Sequence, residues 1–557
     1  MTFEDRLDGW GRGWRGPLLA AIVALIAGLP GLIALPPLDR DEARFAQASA
    51  QMLESGDFVN IRFQDTPRYK KPVGIYWLQA ASVATLSHVE DRQIWAWRVP
   101  SLLGAMLAAA ACAWGAAAFL RPAGSLIAGA LLGASFMLST EAAIAATDAV
   151  LCGVVTLAMA ALARLYLAAR EGPPAGWRSK GLFWLGLSLS VLIKGPIGPM
   201  VVALTLAALC LWDRRVAWLK TLGWGWGLIF LLAVVGPWAM AITVASDGAF
   251  WGAAAGGDLA PKLLGDQEGH GAPPGFYLVL LPVLIFPACL LLPAGAVAAW
   301  RARAEPAVRF ALCWLVPTWL VFEAAPTKLV HYTLPLYGAL AWLMARALAE
   351  PVGRVSRTVG AIAVVFAGLV FAAAAPLAMA RLHDWSGATW GWLAAALFLA
   401  AGCTGALQLL SGSTPRAAGI TIVLAVLAHG VLAGAFVPSL RPLWLSSRAA
   451  KALAAAGLSP SQGISPGPVT VAGYEEPSLV FLLGTATELG DAEDAAAAIA
   501  EGRPAIVEGR LDGAFHAALA RDGATTFRVG EGAGLDYSNN HADILRLYRP
   551  PPERVSP

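Results

Sequence analysis

The sequence predicts an α-helical protein that crosses a membrane many times and carries a small α/β domain at its C-terminal end. Hydrophobic residues make up 57% of the 557 positions and charged residues only 14%, and the mean hydropathy is +0.62. Soluble domains carry about 25% charged residues, so most of this surface is expected to face lipid. Glycine, proline and charged residues return after residue 438, which divides the chain into a membrane domain, 1–438, and a soluble domain, 439–557.

Apolar runs long enough to cross a bilayer recur through the first domain, and we count about thirteen of them. The first run follows Arg6, Arg12 and Arg15 and is too long for the apolar core of a signal peptide, so we interpret it as a retained helix. The predicted spans are 17–38, 98–120, 124–141, 142–166, 181–193, 196–212, 221–245, 275–300, 307–322, 329–348, 358–379, 389–411 and 417–438.

The distribution of Arg and Lys between the short loops predicts the orientation of the spans. Alternate loops are basic, as cytoplasmic loops are. The opposite, periplasmic side of a bacterial inner membrane then holds the first loop (residues 39–97), the loop 246–274 and everything after 438. The first loop is itself rich in Arg and Lys, and both charge balance by its acidic residues and an anionic ligand remain open as explanations.

Composition and short-range patterns limit the other classes of function. The net charge of +3 is too small for this length to indicate a nucleic-acid partner. The six cysteines lie in apolar runs without a CxxC pair, so we expect buried small side chains rather than disulfides or metal ligands. In the soluble domain, 469–472 and 505–508 are predicted strands, and 495–500 and 514–521 are predicted helices.

The first polar motif, Asp41-Glu42-Ala43-Arg44, follows the first span directly. The stretch 42–54 has helical periodicity, and we expect a helix lying along the membrane surface. Carboxylates at a helix start are favoured by the helix dipole, so simple capping is one interpretation. Arg44, three residues beyond Asp41, shares its helix face, and an acid–base pair for chemistry is the other interpretation.

A second motif, Lys71-Pro72, follows in the same loop. Proline is favoured at the first position of a helix, which would place Lys71 beside a helix N-terminus. Backbone N–H groups and the ammonium would together bind a phosphate there. The alternative is a solvated basic turn.

Further candidates stand at the outer ends of other predicted spans. Asp148 lies in an apolar run, where an acidic residue is costly and usually functional, although a position in the headgroup region is the alternative. Lys194 precedes a Gly-Pro break and should lie at an interface. Lys328 and Tyr332 share one helix face, either as ligand contacts or as interfacial anchors.

Glu268 and His270 end the loop before the eighth span. Two candidate ligands are too few for a metal site, so we predict no metal there. Both residues are instead predicted to belong to a loop that contacts the donor or the acceptor of the reaction.

All these motifs fall on the same predicted side of the membrane. ATP and nucleotide sugars do not occur outside the bacterial inner membrane, and a Walker motif is absent from the sequence. The energy for a reaction on that side must therefore come with the substrate, as in an activated lipid-linked phosphate.

Several of these motifs together resemble the bacterial aminoarabinose transferase group, which belongs with the protein O-mannosyltransferases in the GT-C superfamily of polyprenyl-phosphate-sugar transferases. The resemblance rests on Asp41-Glu42, Lys71-Pro72, Lys194-Gly195-Pro196 and Thr327-Lys328-Leu329 with Tyr332 and Pro335, and 473–478 is similar to the periplasmic domain of such proteins. It implies the GT-C fold and an inverting sugar transfer from an undecaprenyl-type phosphate. The implied catalytic set is Asp41, Glu42 and Asp148, and the implied phosphate-binding set is Lys71, Arg44, Tyr332, Lys328 and Lys194.

The sequence departs from the group at three positions. Phe45 stands where Tyr is common, Val73 replaces the second proline of a Lys-Pro-Pro turn, and Lys70 stands where some relatives have a Glu near a bound metal. That metal is therefore not carried over: no cofactor is predicted as required, and a divalent metal is left open. The sugar (aminoarabinose, galacturonic acid, mannose or another) is left open as well.

The sequence thus predicts a multi-pass inner-membrane glycosyltransferase, acting as a monomer, with its active site facing the periplasm. Its expected partners are membrane lipid, a polyprenyl-phosphate-sugar donor and lipid A, lipopolysaccharide or a related envelope acceptor. A transporter or flippase of such a lipid is the rival prediction, which inverted repeats would favour, and none is evident in the sequence. A protein O-glycosyltransferase is a third prediction.

Overall fold

The computed structural model describes residues 3–171, 176–259, 271–460 and 467–551. Within these ranges, eight helices are long and apolar enough to cross a membrane, and a ninth span is present if one bent helix pair is a single crossing. Three shorter apolar helices are Pro122–Gly133, Ile197–Asp213 and Leu334–Ala349. The prediction of a multi-span membrane protein is therefore confirmed, whereas the number thirteen remains a prediction.

The membrane domain is a succession of helices, and every predicted span overlaps at least one of them. In chain order they are α1 (Phe3–Gly11), α2 (Arg15–Ala34), α3 (Asp41–Ser55), α4 (Gly74–Leu86), α5 (Ile94–Ala116), α6 (Pro122–Gly133), α7 (Phe136–Glu141), α8 (Asp148–Glu171), α9 (Trp177–Lys194), α10 (Ile197–Asp213), α11 (Trp224–Ala245), α12 (Ala249–Gly252), α13 (Phe276–Leu284), α14 (Leu292–Arg301), α15 (Pro306–Ala324), α16 (Tyr337–Arg346), α17 (Arg354–Leu382), α18 (Ala388–Leu410), α19 (Thr414–Val431) and α20 (Val437–Ser439).

Several predicted spans are not continuous helices: 124–141 divides between α6 and α7, and 329–348 becomes helical only at Leu334. The span expected at 275–300 is bent by 111° between Phe276–Leu284 and Ala288–Arg301, because Pro287 at the break has no N–H to continue the helical hydrogen bonds. The span expected at 142–166 becomes helical only at Asp148, after a turn over 142–147. Asp148 therefore begins α8, where the helix dipole favours a carboxylate.

Close packing of α5 against α8 fixes the position of the α8 start. A Cβ atom on Gly153 would lie 2.4 Å from the carbonyl oxygen of Gly104, and one on Gly104 would lie 2.6 Å from Cα of Val150. Small residues of this kind let two membrane helices approach closely. A larger side chain at either glycine would push α8, and Asp148 with it, away from α5.

The first loop forms α3, a short antiparallel hairpin of β1 (Arg62–Phe63) and β2 (Thr66–Pro67), and α4. The predicted helix 42–54 coincides with α3. Of its 15 residues, nine are buried, so α3 is covered on several faces rather than lying open on the surface. One cover is the soluble domain, where Thr485 Oγ1 accepts a hydrogen bond from Gln47 Nε2 at 2.7 Å.

The soluble domain contains a five-stranded sheet in the order β4-β3-β5-β7-β6. Its strands are β3 (Thr470–Ala472), β4 (Glu488–Gly490), β5 (Ala505–Glu508), β6 (Phe527–Asp536) and β7 (His541–Arg549). β3 pairs in parallel with β4 and β5, while β7 runs antiparallel to β5 and β6. Its helices are α21 (Leu445–Ala455), α22 (Pro477–Leu483), α23 (Ala492–Ala500) and α24 (Asp512–Arg521).

The two predicted strands of the soluble domain coincide with β3 and β5, and the two predicted helices lie within α23 and α24. The long strands β6 and β7 were not predicted from the sequence. β6 contains Gly530, Gly532 and Gly534, and glycine disfavours strands. Pairing with β7 along its length, a tertiary effect, is what keeps this segment extended.

Candidate active site

The start of α3 presents an exposed carboxylate after a strained residue. Arg40 has a φ of +60°, which is uncommon for any residue other than glycine. The side chain of Asp41 is 73% exposed, and its Oδ1 lies 3.8 Å from Nη2 of Arg68. Backbone strain held beside an exposed acid suggests a functional position.

The neighbouring carboxylate, Glu42, is buried and fully engaged. Arg98 donates to both of its oxygens, from Nε to Oε1 and from Nη2 to Oε2, at 2.8 Å each. The backbone N–H of Leu38 donates to Oε2 at 2.8 Å and that of Ala145 to Oε1 at 2.7 Å. Glu42 therefore ties the first loop to α5 and to the turn that precedes Asp148.

Asp148 lies in a cluster of charged side chains at the start of α8. Its Oδ1 accepts a hydrogen bond from Lys194 Nζ at 2.5 Å and lies 3.7 Å from Nε2 of His331. The other ring nitrogen of His331, Nδ1, lies 3.5 Å from Oε1 of Glu141. One imidazole thus bridges two carboxylates. The turn between Glu141 and Asp148 contacts the start of α3, because the N–H of Ala145 donates to Oε1 of Glu42 at 2.7 Å.

Three members of the cluster could also hold a metal ion. Glu141, Asp148 and His331 each offer one ligand atom, and these atoms lie within 4.8 Å of one another. Two carboxylates and an imidazole suit a divalent transition metal. The ammonium of Lys194 already bonds to Asp148, however, and would compete with a cation there. We therefore describe the group as an ion-pair cluster and assign no reaction step to a metal.

Lys194 and Tyr332, which the sequence placed on different spans, meet at this cluster. Nζ of Lys194 lies 5.4 Å from the centroid of the Tyr332 ring, a cation–π distance. The ring of His331 lies 5.3 Å from the ring of Tyr332. The phenol therefore shares one site with the Asp148–Lys194 pair.

The turn that carries Lys71 packs against the end of α9. A Cβ on Gly195 would lie 4.0 Å from Cγ of Pro72, and one on Gly74 would lie 2.7 Å from the carbonyl oxygen of Leu192. α4 begins at Gly74, two residues later than the proline position that the sequence predicted. The half-buried Lys71 therefore stands in the turn before the helix and close to the residue that follows Lys194.

Two of the predicted phosphate-binding residues face different surroundings. Arg44 lines a cleft of about 390 Å³ together with Arg68 and Lys70. Lys328 is buried, and its Nζ donates to the carbonyl oxygens of Ala325 at 2.6 Å and Ala272 at 3.0 Å. Lys328 thus fastens the loop around 271–272 to the end of α15. Glu268 and His270 lie outside the residues that the structure describes.

The soluble domain forms hydrogen bonds with the residue Asp39, just before α3. The Ser478 hydroxyl donates to Oδ1 of Asp39, and the Asp39 N–H donates to the Tyr537 hydroxyl at 2.7 Å. Burial raises the pKa of Asp39 to about 6, although hydrogen bonds between its carboxylate and the side chains of Ser478 and Tyr537 act to lower it. Burial, followed by the charges of Asp39 and Asp536, raises the pKa of Glu476 to about 7.

Four residues of this region were missed as site residues by sequence reasoning: Arg68, Arg98, Glu141 and His331. Arg98 begins the predicted span 98–120 and Glu141 ends the predicted span 124–141. A charge at the end of a span is less costly than one inside it, so the rule that indicated Asp148 did not single them out. Arg68 and His331 belong to the motifs around Lys71 and Tyr332, but nothing in their spacing distinguishes them from surface residues.

Comparison with known proteins gives one family and several relatives. Residues 37–248 match the family described as dolichyl-phosphate-mannose-protein mannosyltransferase. The undecaprenyl phosphate-α-4-amino-4-deoxy-L-arabinose arabinosyl transferase of Pseudomonas paraeruginosa is 31% identical over 58% of this chain and 58% of its own length. A transferase of the same name from Pectobacterium carotovorum is 29% identical over 55% of this chain and 54% of its own length. The chain thus matches little more than half the length of these relatives.

Solved structures match a larger share of the chain. ArnT from Cupriavidus metallidurans in the apo state superimposes with a TM-score of 0.74 at 20% identity, over 95% of this chain and 97% of its own. ArnT bound to undecaprenyl phosphate gives a TM-score of 0.76 at 18% identity. At these identities the likeness shows the fold. Together the matches confirm the resemblance that the sequence motifs predicted.

Proposed function

We propose that this chain, a relative of the aminoarabinose transferases with the GT-C fold, transfers one sugar from a polyprenyl phosphate to an envelope acceptor with inversion. The observation that carries the proposal is the convergence of the exposed Asp41, the Asp148–Lys194 pair and the Lys71 turn on one region. An acid and several cations at one place suit the departure of a phosphate and the attack of an acceptor. The relatives' names and the ligand of the superimposed ArnT structure support this donor class.

Cations at the site would stabilise the leaving phosphate. We assign Lys71, Arg44 and Lys194 to the phosphate side, with Tyr332 as a further hydrogen-bond donor. Each charge-assisted contact to phosphate contributes roughly 1.5–3 kcal/mol. Lys328 is assigned to holding the neighbouring loop, because its ammonium donates to two backbone carbonyls.

Asp41 is assigned as the catalytic carboxylate, with Glu42 as the residue that positions it. The four hydrogen bonds of Glu42 fix the start of α3 and leave Asp41 exposed. For a hydroxyl acceptor, Asp41 would remove the proton, which contributes about 10²–10⁴-fold in rate. For a phosphate acceptor, which is already anionic, Asp41 would instead orient the neighbouring arginines by electrostatics.

The reaction is proposed to occur on the periplasmic face of the inner membrane. The first loop and the soluble domain, taken as 439–557, would both lie there, since they contact each other through Asp39 and Tyr537. A periplasmic reporter fused to the C-terminus should be active. Activity of a cytoplasmic reporter at that position would contradict this topology.

A direct assay tests the transfer. The purified protein in nanodiscs would receive an undecaprenyl phosphate carrying aminoarabinose, galacturonic acid or mannose, with lipid A as the acceptor. We expect one donor to yield free undecaprenyl phosphate and a lipid A heavier by one sugar, with little product from the Asp41→Asn variant. Transbilayer movement of the donor without cleavage would indicate a flippase instead.

The family match to protein mannosyltransferases makes a protein the second candidate acceptor. Mass spectrometry of lipid A, core sugars and periplasmic proteins from a deletion strain would separate the two acceptors. We expect lipid A or core to lose one sugar mass. Loss of the sugar from periplasmic proteins alone would assign the chain to protein glycosylation.

A further inference from the structure

We propose that Ser478, Tyr537 and Asn539 of the soluble domain are positioning residues for Asp41, because they hold the chain just before α3 in a strained conformation. We call their hydrogen bonds to Asp39 and Arg40 the soluble-domain contact. This inference deepens the proposed function and rests on it, since that function assigns Asp41 as the catalytic carboxylate. It makes the soluble domain part of the machinery of transfer, although none of the three residues is assigned to the reacting groups.

The local sequence does not by itself favour a helix that begins at Asp41. Arg40 occupies the N-cap position with a φ of +60° and a ψ of −105°, and its side chain makes no capping hydrogen bond. Arginine is not among the residues preferred at an N-cap, and a positive φ is uncommon for a residue with a Cβ atom. Asp39 does belong to a preferred capping type, and it would cap α3 if the helix began one residue earlier. Contacts from elsewhere therefore have to hold the observed start.

The soluble domain supplies such contacts to Asp39. The Ser478 hydroxyl donates to Oδ1 of Asp39, and the backbone N–H of Asp39 donates to the Tyr537 hydroxyl at 2.7 Å. Ser478 is completely buried. Extending α3 back to Arg40 would turn the backbone of that residue and carry Asp39 out of both hydrogen bonds. The soluble domain thus opposes the helix start that the local sequence favours.

The turn between β6 and β7 is braced before it meets Arg40. Oδ1 of the buried Asp536 accepts from the backbone N–H groups of Ser538 at 3.0 Å and Asn539 at 3.2 Å. Its Oδ2 accepts from Nδ2 of Asn539 at 2.9 Å. Aspartate bonds of this kind stabilise turns. Oδ1 of Asn539 is left to accept from Nη2 of Arg40 at 2.7 Å, so a preorganised turn holds the strained residue.

Asp41 lies between two neighbours that are anchored to different domains. Glu42, which follows it, accepts hydrogen bonds from the membrane domain, and Arg40, which precedes it, is bound by the soluble domain. The N–H of Arg44 donates to the carbonyl oxygen of Arg40 at 2.9 Å, which ties the strained residue to the first turn of α3. Backbone strain persists only where the surroundings over-determine it. Without the soluble-domain contact, Arg40 should relax and Asp41 should move.

Steady-state sugar transfer by the full-length protein in nanodiscs tests this positioning role. Tyr537→Phe removes one hydroxyl and should lower kcat about tenfold, the effect of one hydrogen bond, while the KM for donor changes less than about twofold. Asn539→Ala should act in the same direction, and its exposed position covers the case in which Tyr537 is needed for folding. Tyr548→Phe is the matched control and should keep the wild-type kcat, because the Tyr548 hydroxyl donates to Asp512 within the soluble domain.

Two substitutions of Arg40 separate backbone strain from loss of the side chain. Both Arg40→Gly and Arg40→Ala remove the hydrogen bond to Asn539, but glycine adopts a positive φ readily and alanine does not. Arg40→Gly should therefore keep a kcat about fivefold or more above that of Arg40→Ala. In the Arg40→Gly protein, adding Tyr537→Phe should lower kcat less than about twofold, since little strain is left to hold.

Hydrogen exchange reports the same contact without turnover. The amide of Arg44, which bonds to the Arg40 carbonyl, should exchange about tenfold faster in Tyr537→Phe than in wild type. The same amide should exchange at the wild-type rate in Tyr548→Phe.

Three results would overturn the proposal. Equal kcat values for Arg40→Gly and Arg40→Ala would show that strain at this residue does not position Asp41. Unchanged kcat in Tyr537→Phe and Asn539→Ala, or unchanged exchange of the Arg44 amide, would show that the soluble domain does not hold the start of α3. A raised KM for donor at constant kcat would assign the soluble domain to donor binding. Absence of sugar transfer by wild type would instead reject the proposed function, and the exchange measurement would still decide whether the contact holds α3.

Discussion

Replacing Glu42 by Gln tests whether one buried ion pair holds the catalytic loop on the membrane domain. Glu42 accepts four hydrogen bonds of 2.7–2.8 Å, and the Arg98 and Glu42 side chains are 0% and 1% exposed. Glutamine keeps the shape but loses the charge, and its NH₂ group must face two of the four former donors, because each carboxylate oxygen accepts two hydrogen bonds. Breaking a buried pair from one side costs about 3–5 kcal/mol.

We expect the lower end of this range, about 3 kcal/mol, because Arg98 keeps other acceptors. It also donates to the carbonyl oxygens of Leu35 at 2.6 Å and Pro36 at 2.9 Å. Denaturant unfolding in mixed micelles would measure the free energy of unfolding. Glu305→Gln is the matched control, since Glu305 pairs with Arg346 but is 52% exposed, and such pairs contribute roughly 0–1 kcal/mol.

Two results would refute this reasoning. A cost for Glu42→Gln within 1 kcal/mol of the Glu305→Gln control would show that the buried pair does not hold the loop. Full sugar transfer by Glu42→Gln would show that the position of Asp41 does not depend on it. The double change Glu42→Leu with Arg98→Met removes both charges and should recover part of the lost stability, as apolar replacements of buried pairs do.

The remaining predictions concern the site itself. Lys71→Ala should weaken binding of undecaprenyl phosphate by about tenfold or more in a nanodisc titration, and unchanged affinity in a folded protein would exclude the phosphate contact. Asp41→Asn should lose most transfer while still binding donor; an acid limb in the wild-type rate profile would indicate a base, and near-full transfer by the variant would reject the assignment. If the imidazole orients Asp148, His331→Gln should lower kcat while changing the KM for the donor less. An unchanged kcat would show that His331 only packs at the site. Because the pKa of Asp39 is raised in the folded protein, the folded state binds this proton more tightly than the unfolded state does. The stability of the contact of Asp39 with Ser478 and Tyr537 therefore falls as pH rises from about 4 to about 6. Asp39→Asn should flatten that fall in hydrogen exchange of α22, and an identical pH dependence in the variant would exclude Asp39 as its source.

The multi-span membrane character was accessible from sequence because hydropathy is a local property. A bilayer demands about 20 apolar residues in a row, and each predicted run overlaps at least one helix of the structure. Some candidate site residues could be predicted from the sequence for a related reason. A charge in an apolar run is costly wherever the run packs, so Asp148 was predicted as a site residue from its neighbours in the chain, and the structure places it beside Lys194 and His331. Strands β6 and β7 were not predicted from the sequence, because they depend on pairing with each other.

The sequence alone could not determine which of two similar charged residues is held in a structural ion pair and which is available to a ligand. Asp41 and Glu42 are adjacent acids at one helix start, and the sequence assigned both to catalysis. Only the tertiary structure brings donors from 56 and 103 residues away onto Glu42 and leaves Asp41 exposed. Lys194 and Lys328 likewise looked equivalent, but one meets Asp148 and the other two backbone carbonyls. The reason is that desolvation and pairing, which decide whether a charge is structural or available to a ligand, are set by distant segments.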